Sequence, residues 1–300
     1  MKAWMCICVI LFSFTTIYSQ DAGDIEQPVD GWNNTGTFSF LFNQSAFNAD
    51  WTGGGTSSVA GNLAVDADFL YTDGRVSWEN KVILEYGLTK QEGDRFTRKT
   101  NDRIEINSVY GYEVNENDDS AYYSFFINAM TQATKGYSYR KDSIGNTQRT
   151  ERTNMFSPGY FQAGPGFLYK KGKHLTLNVA PSTGRLIMVD DQFTSVEDYE
   201  NRSYFGVETG ESRRYELGAS INAFYKIDLL ENITMENKLG LYSNYLNRPG
   251  NVDINYLAHI NMKVNDWISA KFIFQAIYDD NAVGAFQIRE VSGLGVSYTL

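Results

Sequence analysis

Apolar and polar residues alternate along most of the chain with a period of two. Between residues 215 and 227 the apolar face consists of Tyr215, Leu217, Ala219, Ile221, Ala223, Tyr225 and Ile227. The same alternation recurs at 254–265 and 294–300, where one face is entirely apolar or aromatic and the other is mostly polar or tiny. Successive side chains of a strand point to opposite sides, so each of these segments is predicted to be a β-strand with one apolar face.

Twelve segments of this kind are predicted along the chain. They lie at 35–45, 57–72, 75–90, 101–114, 121–139, 157–169, 174–189, 212–228, 233–246, 252–264, 267–279 and 286–300. Most reach the roughly 9 to 11 residues of a tilted membrane strand, whereas strands of soluble proteins average about 5 to 6 residues. The predicted fold class is therefore all-β, an antiparallel transmembrane β-barrel of about 12 strands of the outer-membrane type. A soluble, secreted β-sandwich is the alternative fold.

The connections between the predicted strands alternate in length. Tight links lie at Asp73-Gly74, 115–120, 170–173, 229–232 and Asn265-Asp266, and mostly longer loops, such as 46–56, 91–100, 140–156 and 190–211, lie between them. An even strand number, with the termini and short turns on one side and long loops on the other, is typical of outer-membrane barrels. We therefore expect the short turns to face the periplasm.

Aromatic residues cluster near the predicted short turns. They are Tyr71, Trp78, Tyr110, Tyr112, Tyr225 and Trp267. Rings with an apolar body and a polar tip suit the boundary between lipid and water, so this cluster is predicted to be an interfacial girdle.

The first residues of the chain indicate export. Residues 1–19 contain one lysine, a short apolar run and then small polar residues, which is the pattern of a cleaved signal peptide. Cys6 and Cys8 both lie in this segment, so the mature chain is predicted to contain no disulfide, thiolate metal site or cysteine nucleophile. Cys8 lies too early in the apolar run for a lipoprotein. Residues 20–34 are then a short periplasmic segment, and 35–300 form the barrel.

The last predicted strand carries an insertion signal. Gly295, Tyr298 and Leu300 occupy the glycine, aromatic and terminal hydrophobic positions of the C-terminal strand in many outer-membrane barrels, with leucine replacing the usual terminal aromatic residue. The expected partners are therefore outer-membrane lipid and the barrel-insertion machinery, which would contact this strand.

Composition and motifs argue against most other classes of function. Acidic residues outnumber basic ones by 36 to 26, and the net charge of −10 argues against nucleic-acid binding. No G-x-S-x-G, H-E-x-x-H, P-loop or dinucleotide motif occurs, so no catalytic residue, metal or cofactor is predicted. The acidic runs 115–119 and Asp190-Asp191 are interpreted as hydrated turns rather than Ca²⁺ sites.

The two histidines leave one enzymatic alternative open. His174 lies beside a tight turn, whereas His259 lies on the polar face of a strand. Outer-membrane phospholipases are barrels that use a His–Ser pair on the lipid side, which makes a lipid hydrolase conceivable. His259 is predicted to point inward, however, so we predict that the protein is not an enzyme.

The polar faces of the strands point, by parity, into the lumen. The predicted lumen cluster is Asp66, Asp68, Glu79, Lys81, Glu85, Arg103, Glu105, Arg214, Glu216, Glu236, Lys238, His259, Lys263 and Lys271, with Lys226, Asp228 and Arg289 on the same face. Its acids and bases balance in number, so they can pair across the lumen and restrict passage, whereas an ion-selective pore usually carries one dominant sign. A narrow or closed lumen is predicted, and a wide, hydrated lumen is the alternative.

Several stretches resemble a known family. They are Gly31-Trp32, 51–55 (WTGGG) leading to Gly61-Asn62, 86–112 (YGLTKQEGDRFTRKTNDRIEINSVYGY), 180–192 (APSTGRLIMVDDQ) and 231–256 (ENITMENKLGLYSNYLNRPGNVDINY). In these the chain resembles an uncharacterised, porin-like family of bacteroidete outer-membrane β-barrels, known only as a domain of unknown function. The resemblance implies a barrel fold and a location in the outer membrane of a Gram-negative cell, and it supplies no activity or catalytic residues.

Two functional hypotheses follow. In the first, the barrel is a structural or envelope-assembly scaffold that presents loops 140–156 and 190–211, or the segment 20–34, to other envelope proteins. In the second, it is a passive channel for small hydrophilic solutes. The lack of catalytic motifs and the balanced charges favour the scaffold.

Overall fold

A computed structural model describes residues 30–48, 55–116, 118–195, 204–279, 281 and 284–299. In this part of the chain fourteen strands and one short helix occur. The strands are β1 Gly31–Ser45, β2 Ser58–Asp73, β3 Val76–Gln91, β4 Arg98–Asn115, β5 Asp118–Thr131, β6 Gly136–Lys141, β7 Thr147–Thr153, β8 Gly159–Lys171, β9 Leu175–Met188, β10 Arg213–Leu230, β11 Ile233–Asn244, β12 Val252–Lys263, β13 Ile268–Tyr278 and β14 Gln287–Thr299. The helix, α1, spans Asp191–Thr194 between β9 and β10.

Twelve of the strands form one closed antiparallel barrel, which confirms the predicted fold. Each barrel strand pairs with its neighbour in sequence, except that β5 pairs with β8, and β1 pairs with β14 to close the barrel. The strands β6 and β7 form a separate hairpin in the connection between β5 and β8. None of the described helices is long and apolar enough to span a membrane.

Two predicted boundaries differ from the structure. The fifth segment was expected to run to residue 139, but β5 ends at Thr131 and the hairpin begins at Gly136. The expected loop 140–156 therefore contains part of an ordered hairpin. At the other end, β1 begins at Gly31, so the last four residues of the expected N-terminal segment belong to the barrel, while residues 1–29 lie outside the described residues.

The two faces of the barrel wall differ as the alternation predicts. Large apolar side chains are exposed on the outer face, among them Phe38, Phe40, Leu63, Leu84, Ile106, Phe125, Ile127, Phe167, Leu217, Leu294 and Val296. Residues of the other parity are buried and include charged side chains such as Glu105, Glu216 and Lys271. A polar interior inside an apolar exterior is the reverse of a soluble sandwich, so the outer face is a lipid-facing surface.

The short turns, the first residue of β1 and the last described residue of β14 lie at one end of the barrel, which we call the short-turn rim. There Trp32 lies 5.3 Å from Tyr71 and 5.8 Å from Trp78 between ring centroids, and Trp267 stacks on Tyr298 at 5.4 Å. Most of these aromatic side chains are exposed on the outer face. Their position at the end of the apolar surface is that of an interfacial girdle.

A bulge in β9 shifts the alternation partway along the strand. Asn178 and Ala180 are buried before Pro181 and Ser182, and Thr183, Arg185 and Ile187 are buried after them. The register of β9 shifts against β8 and β10 at the same level. Gly164 of β8 passes so close that a Cβ would clash with the carbonyl oxygen of Ser182. The bulge therefore decides which residues of β9 reach the lumen.

Candidate functional site in the barrel lumen

Charged side chains line the lumen and are largely withdrawn from solvent. Glu105 is 8% exposed, Glu216 5% and Lys271 7%. Charged residues are almost never buried to this extent unless they are paired. We therefore expect each buried charge in the lumen to have a partner.

The wall formed by β4 and β5 holds one densely bonded carboxylate. Arg103 donates to Glu105 from both Nε and Nη2. The amides of Asn107 and Asn128 donate to the other carboxylate oxygen of Glu105, at 2.8 and 3.0 Å. Charge-assisted hydrogen bonds to both oxygens satisfy this carboxylate. Sequence parity singled out Arg103 and Glu105 but not the two asparagines.

The neighbouring wall of β2 and β3 holds further pairs. The ammonium of Lys81 lies 2.8 Å from both carboxylate oxygens of Asp68. The amide of Asn101 donates to Glu85 at 2.9 Å. Asp68 is thus paired with a cation, and Glu85 accepts from a neutral amide.

Charges from other strands of the barrel interact with this wall. Lys238 of β11 and Lys271 of β13 are within electrostatic range of Asp66 of β2, and Lys238 is also in range of Glu105. The charged groups around His259 are Glu236, Asp66, Lys238 and Lys271. The predicted cluster is thus an interlocking set of opposite charges contributed by strands on both sides of the lumen.

Some inward polar atoms lack a partner within the described part of the protein. They are His259 Nε2, Asn261 Oδ1, Tyr242 Oη and Arg289 Nε. Buried polar atoms are commonly satisfied by ordered water, so space for water is expected at these positions. For His259, no hydrogen bond to a serine hydroxyl occurs among the described residues.

Two predicted lumen residues lie near the short-turn rim and have partners there. Glu79 forms an ion pair with Lys170, whose ammonium also donates to Ser77 at 2.8 Å and lies 5.1 Å from the ring centroid of Tyr122. Lys263, in contrast, is not in the lumen. Its side chain is 56% exposed and pairs with Asp266 in the adjacent turn at 2.9 Å, because β12 ends at this residue.

A second charge network lies towards the opposite end of the barrel, which we call the long-loop mouth. Arg185, itself 8% exposed, places Nη1 2.6 Å from Asp253 and 3.6 Å from Glu216, and its guanidinium covers the ring of Tyr242 at 3.5 Å. Arg214 Nε lies 2.8 Å from the other oxygen of Glu216. Arg214 and Glu216 were predicted, whereas Arg185 and Asp253 were not.

The described residues of the connection between β9 and β10, 189–195 and 204–212, lie over this network, and we call this part of the chain the mouth loop. Its Val189, Phe193, Tyr204 and Val207 form a buried apolar cluster with the inward-facing Ile187, against which Tyr160 also packs. Phe193 stacks on Tyr204 at 5.5 Å, and Val207 is fully buried. Because Ile187 and Tyr160 belong to the inner face of the wall, the described part of the mouth loop folds into the mouth.

Polar contacts hold the mouth loop in this position. Arg214 Nη1 donates to the carbonyl of Gly206 at 2.9 Å, and Thr194 Oγ1 donates to the carbonyl of Glu211 at 2.7 Å. The hydroxyl of Tyr204 donates to the carbonyl of Arg152 in the hairpin strand β7. The charge network and the loop above it are thus joined through Arg214.

The remaining predicted sites are placed as follows. Gly295 lies on the inner face against Leu41, and Tyr298 lies on the outer face, while Leu300 lies outside the described residues. Contact with the insertion machinery stays a prediction. Within the described ranges no group of three or more His, Cys, Asp or Glu side chains has the geometry of a metal site.

Comparison with known proteins finds a family of unknown function over part of the chain and leaves the activity open. Residues 42–137 match the profile of a family described as "Protein of unknown function (DUF3078)". None of the curated proteins matches the chain. The bacteroidete origin stays a prediction.

Solved structures with a similar arrangement include several outer-membrane barrels. The outer membrane channel COG4313 from Pseudomonas putida F1 is 13% identical with a TM-score of 0.38, covering 94% of this chain and 99% of that one. The translocator domain of the autotransporter NalP from Neisseria meningitidis is 11% identical with a TM-score of 0.41, covering 91% and 90%. The outer membrane channel DcaP of Acinetobacter baumannii is 9% identical with a TM-score of 0.29, covering 91% and 100%.

Proposed function

We propose that this protein is an integral outer-membrane scaffold whose lumen is closed and whose long loops engage other envelope proteins. The observation that carries this proposal is the mouth loop, which packs on inward-facing wall residues directly above a buried network of ion pairs. A solute entering from this end would have to displace both.

The energetics of the lumen support closure. Removing one partner of a buried ion pair leaves an uncompensated charge at a cost of about 3 to 5 kcal/mol. Arg185 is shared by Asp253 and Glu216, and Arg214 binds both Glu216 and the mouth loop. Lifting the loop therefore breaks apolar and polar contacts together, which favours one stable closed state.

The hairpin of β6 and β7 supports a role in presenting a surface. Arg149 of the hairpin lies 4.8 Å from the ring centroid of Phe96, in the loop between β3 and β4, and 4.3 Å from that of Tyr137 within the hairpin, so a cation–π contact holds the hairpin on that loop. At its tip Ile144 is 81% exposed. An ordered hairpin with an exposed apolar tip is a suitable contact site for an envelope protein.

A narrow channel is the second candidate, and one observation favours it. The unpartnered polar atoms of His259, Asn261 and Arg289 lie at inward positions, where water is the natural partner. A connected file of such waters through the lumen would admit small hydrophilic solutes if the mouth loop left a gap.

Single-channel recording in planar bilayers separates the two proposals. The closed scaffold predicts that the purified, folded barrel inserts without reproducible conductance steps. Uniform steps from the unmodified protein, with a size that depends on the salt concentration, would replace the scaffold proposal with the channel. Membrane insertion of the same protein preparation is verified separately by flotation of proteoliposomes, so that a lack of conductance cannot be attributed to protein that fails to insert.

A further inference from the structure

Basic residues are concentrated in two segments at the long-loop mouth. The loop between β3 and β4 with its flanking residues, 90–99, and the hairpin segment 135–152 together contain nine of the chain's 26 Lys and Arg residues, against four acids. The whole chain, in contrast, has a net charge of −10. The two segments pack together through Phe96 and Tyr139, whose ring centroids lie 6.0 Å apart. We call their joint surface the basic patch.

Two exposed arginines of the basic patch approach the same aromatic ring. The guanidinium carbon of Arg95 lies 5.2 Å from the ring centroid of Phe96, and that of Arg149 lies 4.8 Å from it. The two guanidinium carbons are therefore no more than about 10 Å apart, which is close to the Debye length at physiological ionic strength. Their mutual repulsion is thus only partly screened.

Neither of these two arginines forms an ion pair in the described part of the chain, because three of the four acids of the basic patch are engaged elsewhere. Asp94 forms an ion pair with Arg98 at 3.1 Å, and Glu151 forms one with Lys135 at 2.7 Å. The carboxylate of Asp142 accepts hydrogen bonds from backbone amides of its own turn. Two neighbouring guanidiniums without a carboxylate partner offer a site for an anion, and their planar donors suit a phosphate.

The basic patch borders the lipid-facing surface. Lys90, its first residue, pairs with Val59 of β2 and lies two residues beyond Leu88 on the outer face of β3. Val59 and Leu88 are 42% and 38% exposed. With the short turns facing the periplasm, this end of the barrel lies at the external leaflet of the outer membrane. The head groups of that leaflet belong largely to glycolipids whose sugars carry phosphate groups.

We propose that the basic patch binds the phosphorylated sugar head group of a glycolipid in the external leaflet. Arg95 and Arg149 donate to a phosphate of the head group, and the acyl chains of the same lipid lie along the outer wall near Val59 and Leu88. The bound phosphate supplies the negative charge that the two guanidiniums lack. The proposal rests on the outer-membrane location of the barrel and is independent of whether the lumen is closed.

Native mass spectrometry of the full-length folded barrel tests the ligand. The protein is titrated with diphosphoryl lipid A, with monophosphoryl lipid A carrying the same acyl chains, and with the diphosphorylated disaccharide without acyl chains. We expect the diphosphoryl lipid to bind most tightly, and the loss of one phosphate to weaken binding about tenfold, the effect of losing one charge-assisted contact. Equally tight binding of the acyl-free disaccharide would identify a soluble phosphosugar as the ligand and overturn the membrane source.

Two exposed arginines separate this site from the general charge of the hairpin. Arg95→Gln removes one guanidinium and leaves the contact of Arg149 with Phe96, which holds the hairpin in place, so a loss of affinity for diphosphoryl lipid A of about tenfold is expected. Arg140→Gln removes the same charge from the opposite face of the hairpin, because its neighbour Tyr139 pairs with Arg149. This control variant is expected to bind like the unmodified protein.

Three results would overturn the proposal. They are equal losses of affinity in Arg95→Gln and Arg140→Gln, equal affinities for the lipids with one and two phosphates, and tighter binding of a poly-glutamate peptide than of diphosphoryl lipid A. The last result would assign the basic patch to an acidic protein segment. The proposed closed scaffold is tested by conductance instead, so each proposal can fail while the other holds.

Discussion

At the scale of single residues, Arg185 has the most exacting position in the lumen. Its guanidinium is shared by Asp253, Glu216 and the ring of Tyr242. Arg185→Met keeps much of the volume and removes the charge, which leaves two buried carboxylates short of a partner. We expect the free energy of unfolding to fall by about 3 to 5 kcal/mol, measured by urea denaturation in lipid or detergent.

A compensating variant identifies the cause of that loss. If uncompensated carboxylates are responsible, adding Asp253→Asn to Arg185→Met restores part of the stability, because one of the two stranded charges is removed. Arg140→Met, at an exposed position, is the control and should change stability by less than about 0.5 kcal/mol. A double variant no more stable than Arg185→Met would contradict the ion-pair account.

His259 gives a second prediction at this scale. Its side chain points into the lumen among Glu236, Lys238 and Lys271 rather than towards lipid. Any esterase or phospholipase activity of a purified preparation is therefore expected to be unchanged in His259→Ala. A loss of turnover in this variant, with the barrel still folded, would revive the lipid hydrolase.

Counting every second residue assigns side chains to the inner face correctly only where the strand is regular. Asp66 and Glu105 lie in uninterrupted pairings, so counting by two places them on the inner face. Arg185 was missed because Pro181 and Ser182 shift the count, although a proline inside a predicted strand is itself a signal of a bulge. Lys263 was misplaced because parity does not indicate where along the barrel a residue lies.

At the scale of strands, the contact between β1 and β14 is the shortest in the barrel wall. Among the described residues it comprises six pairs, from Thr37 with Thr299 to Phe42 with Leu294, whereas β1 and β2 are paired along all of β1. Gly295 permits this contact, since a Cβ there would clash with the carbonyl oxygen of Phe40 and the side chain of Leu41. Closure therefore depends on a few residues.

Alanine at two glycines of the same strand tests this dependence. Gly295→Ala is expected to destabilise the barrel by about 1 to 3 kcal/mol, the usual cost of overpacking, and to leave more of it unfolded after refolding. In Gly293→Ala the added Cβ meets Leu41 at an ordinary contact distance of 3.6 Å, so little change is expected. Heat-dependent gel mobility reports the folded fraction, and equal effects of the two changes would refute a special role for Gly295.

The β6–β7 hairpin gives a prediction about pH. Desolvation raises the pKa of the Asp142 carboxyl. Hydrogen bonds from the backbone amides of Asn146 and Ile144 and from the side chain of Gln148 lower it by more, so the pKa lies below its usual value. A lowered pKa stabilises the turn above the unfolded-state value of about 4, and this stabilisation is lost as pH falls through the folded-state pKa.

Amide hydrogen exchange measures the pH effect in the hairpin. After correction for the intrinsic pH dependence of exchange, protection of the turn amides is expected to be constant near neutral pH and to decrease below about pH 4. In Asp142→Asn the protection should be lower at neutral pH and should no longer respond to this acid range. A decrease of the same size in both proteins would assign the effect to another group.

The sequence predicts the barrel strands much better than the elements at the mouth. An apolar outer face is required of every strand that meets lipid, so hydropathy records it directly. The hairpin strand β7 has the sequence TQRTERT, which carries no apolar face, because the hairpin lies outside the membrane. The inward fold of the mouth loop rests on contacts of Phe193 and Tyr204 with residues distant in sequence, which no local pattern reveals.

At the scale of the whole molecule, the barrel has an outer surface fitted to lipid and an inner surface occupied by its own charges. The lumen network joins strands on both sides, and the mouth loop adds an apolar cover at one end. Closure is therefore built from two layers, of which the cover is peripheral to the barrel wall and the charges are integral to it.

Removing the mouth loop alone tests whether it closes the barrel separately from the lumen charges. Replacing residues 191–208 by a short Gly-Ser linker removes Phe193, Tyr204 and Val207 and leaves the twelve barrel strands intact. Because the charge network beneath stays paired, we expect the variant to show small, flickering conductance steps in planar bilayers where the unmodified barrel is silent. Replacing residues 142–146 of the hairpin tip by two glycines, at the same end, is the control, because it keeps Arg152 and its contact with Tyr204, and it should leave the barrel silent. If the linker variant is as silent as the control, the lumen charges alone close the barrel, and the mouth loop is not the barrier.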